Sequence, residues 1–244
     1  MRGVVVPAKS MHREIYGGRD PRDLPAYTPP EAARYLHVPP STLRAWCFGQ
    51  DSWNRSNRFQ PVVEVADVEN RLLSFRNLVE LHVLSSIRRR DVPLRYIREL
   101  VARFREEFSS DHPLADANLA TDGAGQLLVE IAGRVFNVSR EWQQEMRPIV
   151  DRYLRRIARD PEGVPIKLFP FTTSRTDDER MPVVIDPRLQ FGRPCLVGTG
   201  IPVDVLVERF EAGDTIDLLA EDYGRDRQEI EEAIRFDHRA RAAA

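Results

Sequence analysis

The residues best equipped for chemistry are Ser41, Thr42 and Arg44, within the stretch TPPEAARYLHVPPSTLRAWCF from Thr28 to Phe48. Two short hydroxyls and a guanidinium near a helix start suit phosphate oxygens and base edges in a DNA major groove. The surrounding elements must hold them outward. Thr28 reads as an N-cap, with Glu31 completing a capping box and Pro29 at the first helical position. Ala32, Ala33 and Leu36 share a face. His37-Val38-Pro39-Pro40 breaks that helix, because proline disfavours helical backbone in the residue before it. Pro40 opens a second helix, on which Leu43 and Trp46 lie three apart and turn inward. A helical hairpin in an ordinary core accounts for these residues alone equally well. The flanking segments favour a DNA-reading helix-turn-helix.

From Gly49 to Val65 the chain is polar at first, DSWNRSNRF, then extended. This predicts a hairpin wing, with Arg55, Asn57 and Arg58 near its tip to grip the phosphate backbone or enter the minor groove. Ser74 caps a helix carrying Phe75, Leu78, His82, Leu84 and Ile87, and Arg88-Arg89-Arg90 suits its C-terminal end. After Asp91-Val92-Pro93, a stripe of Leu94, Ile97, Leu100, Val101, Phe104 and Phe108 marks a further helix. Residues 1–26 read as a surface arm.

Charge divides the chain. The net charge of -2 over 244 residues hides an uneven spread. Residues 1–110 carry 18 Lys and Arg against 13 Asp and Glu, whereas residues 181–244 carry 8 against 13. A basic front suits a polyanion, and an acidic back suits a protein. Cys47 and Cys195 offer neither a disulfide framework nor metal spacing, and no cofactor or metal is expected. No apolar run approaches a membrane span, so no membrane partner is expected and a reducing cytoplasm is the expected location.

Residues 111–172 read as a small α+β connector. Asp122-Gly123 and Ala124-Gly125 mark a turn, Gln126–Ile131 and Arg134–Val138 look like strands of a hairpin around Ala132-Gly133, and Pro148 looks close to a helix start. Tyr153–Asp160 fits a helix or a hairpin partner of Val164–Phe169. Residues 173–181 read as a polar linker. The unit from 182 to 244 opens with short strands and continues as three helices, stopped at Gly213 and Gly224. Thr199 in Gly198-Thr199-Gly200 closes a turn, since the glycine-rich phosphate signature is incomplete. This last set is itself helix-turn-helix-like. Its carboxylates Glu229, Glu231 and Glu232 would repel DNA, so they are assigned to a solvated face and to contacts with a toxin or a second subunit. The expected fold class is mainly α with small β elements (α+β). It comprises a winged helix-turn-helix over 1–110, the connector, the linker and a C-terminal three-helix domain.

Two resemblances carry a functional expectation. TPPEAARYLHVPPSTLRAW and VPLRYIRELVARF resemble, in order and spacing, the winged helix-turn-helix of the MerR class. Unlike that class, the helical pattern stops at Ser109-Ser110-Asp111-His112-Pro113 and no long coiled coil follows. The pattern IDPRLQFGRPCLVGTGIPVDVLVERFEAGDTIDLLAEDYGRDRQEIEEAI resembles a small-domain family of bacterial antitoxins, with Gly200 where that family has arginine. With LLSFRNLVELHVLSSIRR, the chain resembles the larger VapB-type antitoxins. The resemblance implies a non-enzymatic, dimeric, DNA-binding antitoxin. It would bind double-stranded operator DNA, repress its own operon and neutralise a PIN-like ribonuclease toxin. A one-component MerR-like regulator without a toxin is the alternative.

Overall fold

The computed structural model describes residues 16–49, 60–88, 94–115, 124–136, 139–172 and 180–242. The expected class holds: helices dominate, with small antiparallel strand pairs. Helix α1 (Pro29–Leu36) starts at a complete capping box between Thr28 and Glu31. It ends at His37, whose left-handed φ of 51° turns the chain into α2 (Pro40–Phe48). Leu43 and Trp46 face inward as the spacing requires.

Helix α3 (Phe75–Arg88) is buried from Phe75 to Ile87 except at the half-buried Arg76. Its start is fixed reciprocally: Asn77 N–H donates to Ser74 Oγ, and Ser74 N–H donates to Asn77 Oδ1. Helix α4 (Leu94–Phe108) buries the predicted stripe through Ile97, Leu100, Val101 and Phe104. Helices α5 (Ala124–Phe136) and α6 (Arg140–Leu154) pack against each other, and α6 also packs on α3.

Helix α5 overturns the strand reading of Gln126–Ile131; the part of Arg134–Val138 that is described, 134–136, continues the same helix. Leu128, Ile131 and Ala132 are buried at helical spacing. Gly125 and Gly133 are not turn signals here. Lying eight apart, they face α6, and a β-carbon on either would overlap Asp151 or Gln143. They allow close helix approach. Pro148 lies inside α6, whose true start is capped by Ser139.

The open choice at 153–160 resolves as a hairpin, β1 (Ile157–Arg159) with β2 (Pro165–Leu168). Leu168 exchanges backbone hydrogen bonds with Ile185, next to β3 (Val183–Val184), which pairs with β4 (Cys195–Leu196). The strand pairing therefore runs from the connector into the C-terminal unit. Helices α7 (Val203–Glu211), α8 (Ile216–Tyr223) and α9 (Arg227–Ala242) follow, with Gly224 capping α8 at φ 58°.

The C-terminal unit is not a separate appendage. Helix α9 packs on α1, with Phe236 stacked on Tyr35 at 6.4 Å between centroids and meeting the His37 ring edge at 5.5 Å. Tyr27 donates to the Gly192 carbonyl at 3.1 Å, and Tyr16 to the Pro187 carbonyl at 3.2 Å. Gly192→Ala should test this junction. Gly192 has φ 81°, and a β-carbon there would overlap the Tyr27 ring and hydroxyl. We expect a loss of ~2 kcal/mol, from left-handed strain plus the broken contact. An unchanged urea midpoint would show the junction to be slack.

Candidate nucleic-acid interface

The second helix of the hairpin is positioned from behind. Leu43, Ala45, Trp46 and Cys47 are buried, and burial pushes the Cys47 thiol up to about 12. At its C-terminal end the Trp46 carbonyl accepts from Val62 N–H at 2.6 Å and Val63 N–H at 3.2 Å. At its start, the turn is pinned by His37, whose Nε2–H donates to the Phe171 carbonyl at 2.7 Å. Helix α2 therefore sits on a rigid base.

Its outer face carries the sequence-selected side chains. Ser41 and Arg44 are exposed and Thr42 half-buried. Ser41, Arg44 and Phe48 are spaced three and four apart, so they form one stripe along the helix. Pro39 supplies no side-chain cap, leaving the positive end of the helix dipole directed toward any anion placed there.

Arg55, Asn57 and Arg58 lie outside the described residues. Of the predicted wing, residues 60–65 form no strand. The local β-structure lies further on, where Asp67 and Leu72 exchange backbone hydrogen bonds at 2.9–3.0 Å and Leu73 bridges to Tyr27. The connecting turn puts Arg71 in the left-handed region at φ 56°, with its guanidinium 5.7 Å from the Phe48 ring centroid. Arg71 thus extends the Ser41–Arg44–Phe48 stripe beyond the end of the helix. Sequence reasoning missed it because a lone arginine in a polar turn carries no periodic signal.

The acidic candidates on α9 part company. Glu229 is half-buried and pairs with Arg225 at 2.9 Å; Glu231 is half-buried and pairs with Arg235 at 2.6 Å. Glu232 corrects the solvated-face reading. It is 2% exposed and ion-paired with Arg180, because its position on α9 turns toward the body of the protein. Of the three, Glu229 and Glu231 keep partly exposed carboxylates. Thr199 closes its turn as expected, donating to the Leu196 carbonyl and accepting from Ile201 N–H.

A helix-turn-helix with an outward polar stripe, joined to a compact three-helix unit, defines the architecture of a regulatory DNA-binding protein. Residues 25–101 match a family described as "Putative DNA-binding HTH domain", and residues 183–236 match "Protein of unknown function (DUF433)". The "Putative antitoxin VapB45" of Mycobacterium tuberculosis is 31% identical over 234 residues, covering 87% of this chain and 93% of the relative. The chain belongs to that family, antitoxin-like proteins with an N-terminal helix-turn-helix. A second protein of the same organism, "Uncharacterized protein Rv2308", is 24% identical over 230 residues, 91% of this chain and 93% of its own. The crystal structure of Rv2018, also from M. tuberculosis, superposes with a TM-score of 0.63 at 27% identity, covering 86% of this chain and 98% of that one.

Among the described residues, no helix is long and apolar enough to cross a membrane.

Proposed function

We propose that this protein is the antitoxin of a type II toxin–antitoxin pair, binding a PIN-like ribonuclease toxin directly and repressing its own operon as a homodimer. The observation that carries the DNA-binding half is the exposed Ser41–Arg44 stripe on a helix whose other side is buried in the core. Membership of an antitoxin-like family supports the toxin-binding half. Two recognition helices of a dimer would meet operator half-sites about one helical turn apart. Ser41, Thr42 and Arg44 would read the groove. Arg71 would hold the flanking backbone, a role that Arg55, Asn57 and Arg58 would share. Glu229 and Glu231, on the acidic unit, would face the toxin. No catalytic role is assigned to any residue.

Arg44→Ala should weaken binding to DNA from upstream of the gene by ~1–3 kcal/mol, with selectivity relaxed at one base pair if Arg44 reads a guanine. Fluorescence anisotropy on matched and scrambled duplexes checks this. An equal loss on both would make Arg44 a phosphate contact. Affinity should also fall steeply with salt as counterions are released. Salt-independent binding would argue against a nucleic-acid interface. Co-expression with the product of the neighbouring gene tests the other half: relief of its toxicity is expected. Operator binding without any such relief would favour a one-component MerR-like regulator.

A further inference from the structure

Arg71 is carried on a ribbon with little packing of its own. Val68, Glu69, Asn70 and Arg71 form its turn, and all four are exposed, Val68 at 70%. Within the ribbon, Asp67 and Leu72 exchange backbone hydrogen bonds, and Asn70 N–H and Nδ2 donate to the Asp67 carboxylate at 2.8–2.9 Å. Arg71 nonetheless holds a left-handed φ of 56°. A side-chain-bearing residue keeps that conformation only when its surroundings fix it. The direction of the ribbon must therefore be set at its base.

The base closes on one side chain. Asn77, fully buried in the first turn of α3, accepts from Ala66 N–H and from Ser74 N–H, both at 3.0 Å and both through Oδ1. Those two donors stand at opposite ends of the ribbon. Nδ2 donates to the Glu64 carbonyl at 2.6 Å and to Glu80 Oε2 at 3.4 Å. A carboxamide offers two acceptor sites and two donor hydrogens, and all four are used. An ionised aspartate there would have no donor, and a leucine neither donor nor acceptor. The clamp is itself anchored, because Glu80 is buried and lies 3.0 Å from His112 Nδ1. On the return arm, Leu73 is tied to Tyr27, just ahead of α1. Ribbon and helix-turn-helix thus share one frame, which sets the Arg71 guanidinium beside Phe48 at the end of α2.

We propose that Asn77 is the positioning residue for the Arg71 contact with DNA: by closing the 66–74 ribbon, it presents the guanidinium to the phosphate backbone in line with the α2 stripe. This rests on the DNA-binding reading above and adds the part that aims it. Asn77 touches no DNA and acts through Arg71.

Anisotropy on duplex DNA from upstream of the gene tests it, with full chains that circular dichroism shows to be folded. Arg71→Ala should weaken binding about tenfold, the loss of one charge-assisted contact, and should lower the slope of log affinity on log salt by about 1. Asn77→Ser should do the same, although it removes no charge. The double variant should bind no more weakly than Arg71→Ala alone, whereas Asn77→Ser combined with Arg44→Ala should multiply the two losses. A structural role alone predicts otherwise: the salt slope keeps its wild-type value, and the Asn77→Ser loss persists in full when Arg71 is absent. Either result overturns the inference. Amide hydrogen exchange of the wild type gives a check that needs no variant. The Ala66, Leu72 and Ser74 amides should be protected already in the free protein, since the ribbon is preorganised. Amides that exchange freely until DNA is added overturn the inference. A wild type that binds no duplex removes the DNA reading along with it, so the two failures are told apart.

Discussion

Arg156→Leu is expected to cost the fold about 3–5 kcal/mol, the sum of several carbonyls left without a donor. Arg156 is 2% exposed, an unusual position for a guanidinium. It is tolerated because its planar fork meets several acceptors together. Nη1 donates to the carbonyls of Phe169 and Pro170 at 3.2–3.3 Å, and Nη2 to that of Arg180 at 3.1 Å. Its face lies 4.0 Å from the Phe171 ring centroid. One side chain thus gathers the two ends of the segment that sequence reading treated as a linker. Leucine fills part of the volume but satisfies none of the carbonyls. Urea unfolding followed by circular dichroism should show a much lower midpoint with an unchanged slope. Lysine should recover only part of the loss, since an ammonium cannot fork in a plane. A penalty below about 1 kcal/mol would mean that water replaces the guanidinium at little cost. The effect should reach the DNA-binding unit, because Phe171, held under Arg156, accepts the hydrogen bond that pins His37 in the helix-turn-helix turn.

The second large effect is an acid limb in stability set by His82. Burial pushes its imidazole down to about 3 from an ordinary 6.5, and the nearby Arg156 charge acts in the same direction. The hydrogen bond with the Tyr153 carbonyl, at 3.0 Å, opposes them but does not win. The ring is neutral in the fold, 4.8 Å from Tyr153 and 5.9 Å from Phe171 between centroids. Between these two pKa values the unfolded chain binds the proton that the folded chain refuses. The stabilisation is therefore complete above pH 6.5 and lost as pH falls, at ~1.4 kcal/mol per pH unit. His112 acts with the opposite sign. Burial disfavours its charge, but Glu80, 3.0 Å away, outweighs that and raises its pKa. Its contribution is present at low pH and fades as pH rises through the raised value. His82→Gln, which keeps a donor for the Tyr153 carbonyl, should flatten the acid limb by about one proton. An identical limb in that variant would shift the cause to the carboxylates.

These two residues show where sequence reading ends. His82 was legible only as a member of a helical stripe. Nothing in its spacing announces that a strap from residue 171 closes over it. Arg156 is one of four arginines in DRYLRRIARD, and no spacing sets it apart. Both acquire their character from groups far along the chain, and burial is a property of the assembled body.

What the amino-acid order determined by itself is local. The capping box at Thr28–Glu31, the proline break before α2, and the exposed positions of Ser41 and Arg44 follow from backbone sterics and helical periodicity, which act within a few residues. The three C-terminal helices and their glycine stops were readable for the same reason. Tertiary structure alone decided the rest. It made Gly125 and Gly133 contact sites rather than turns, turned Glu232 inward to Arg180, brought Arg71 to the end of α2, and packed α9 on α1 through Phe236 and Tyr35. Those outcomes depend on which surfaces meet, and packing between distant segments leaves no fixed spacing in the sequence.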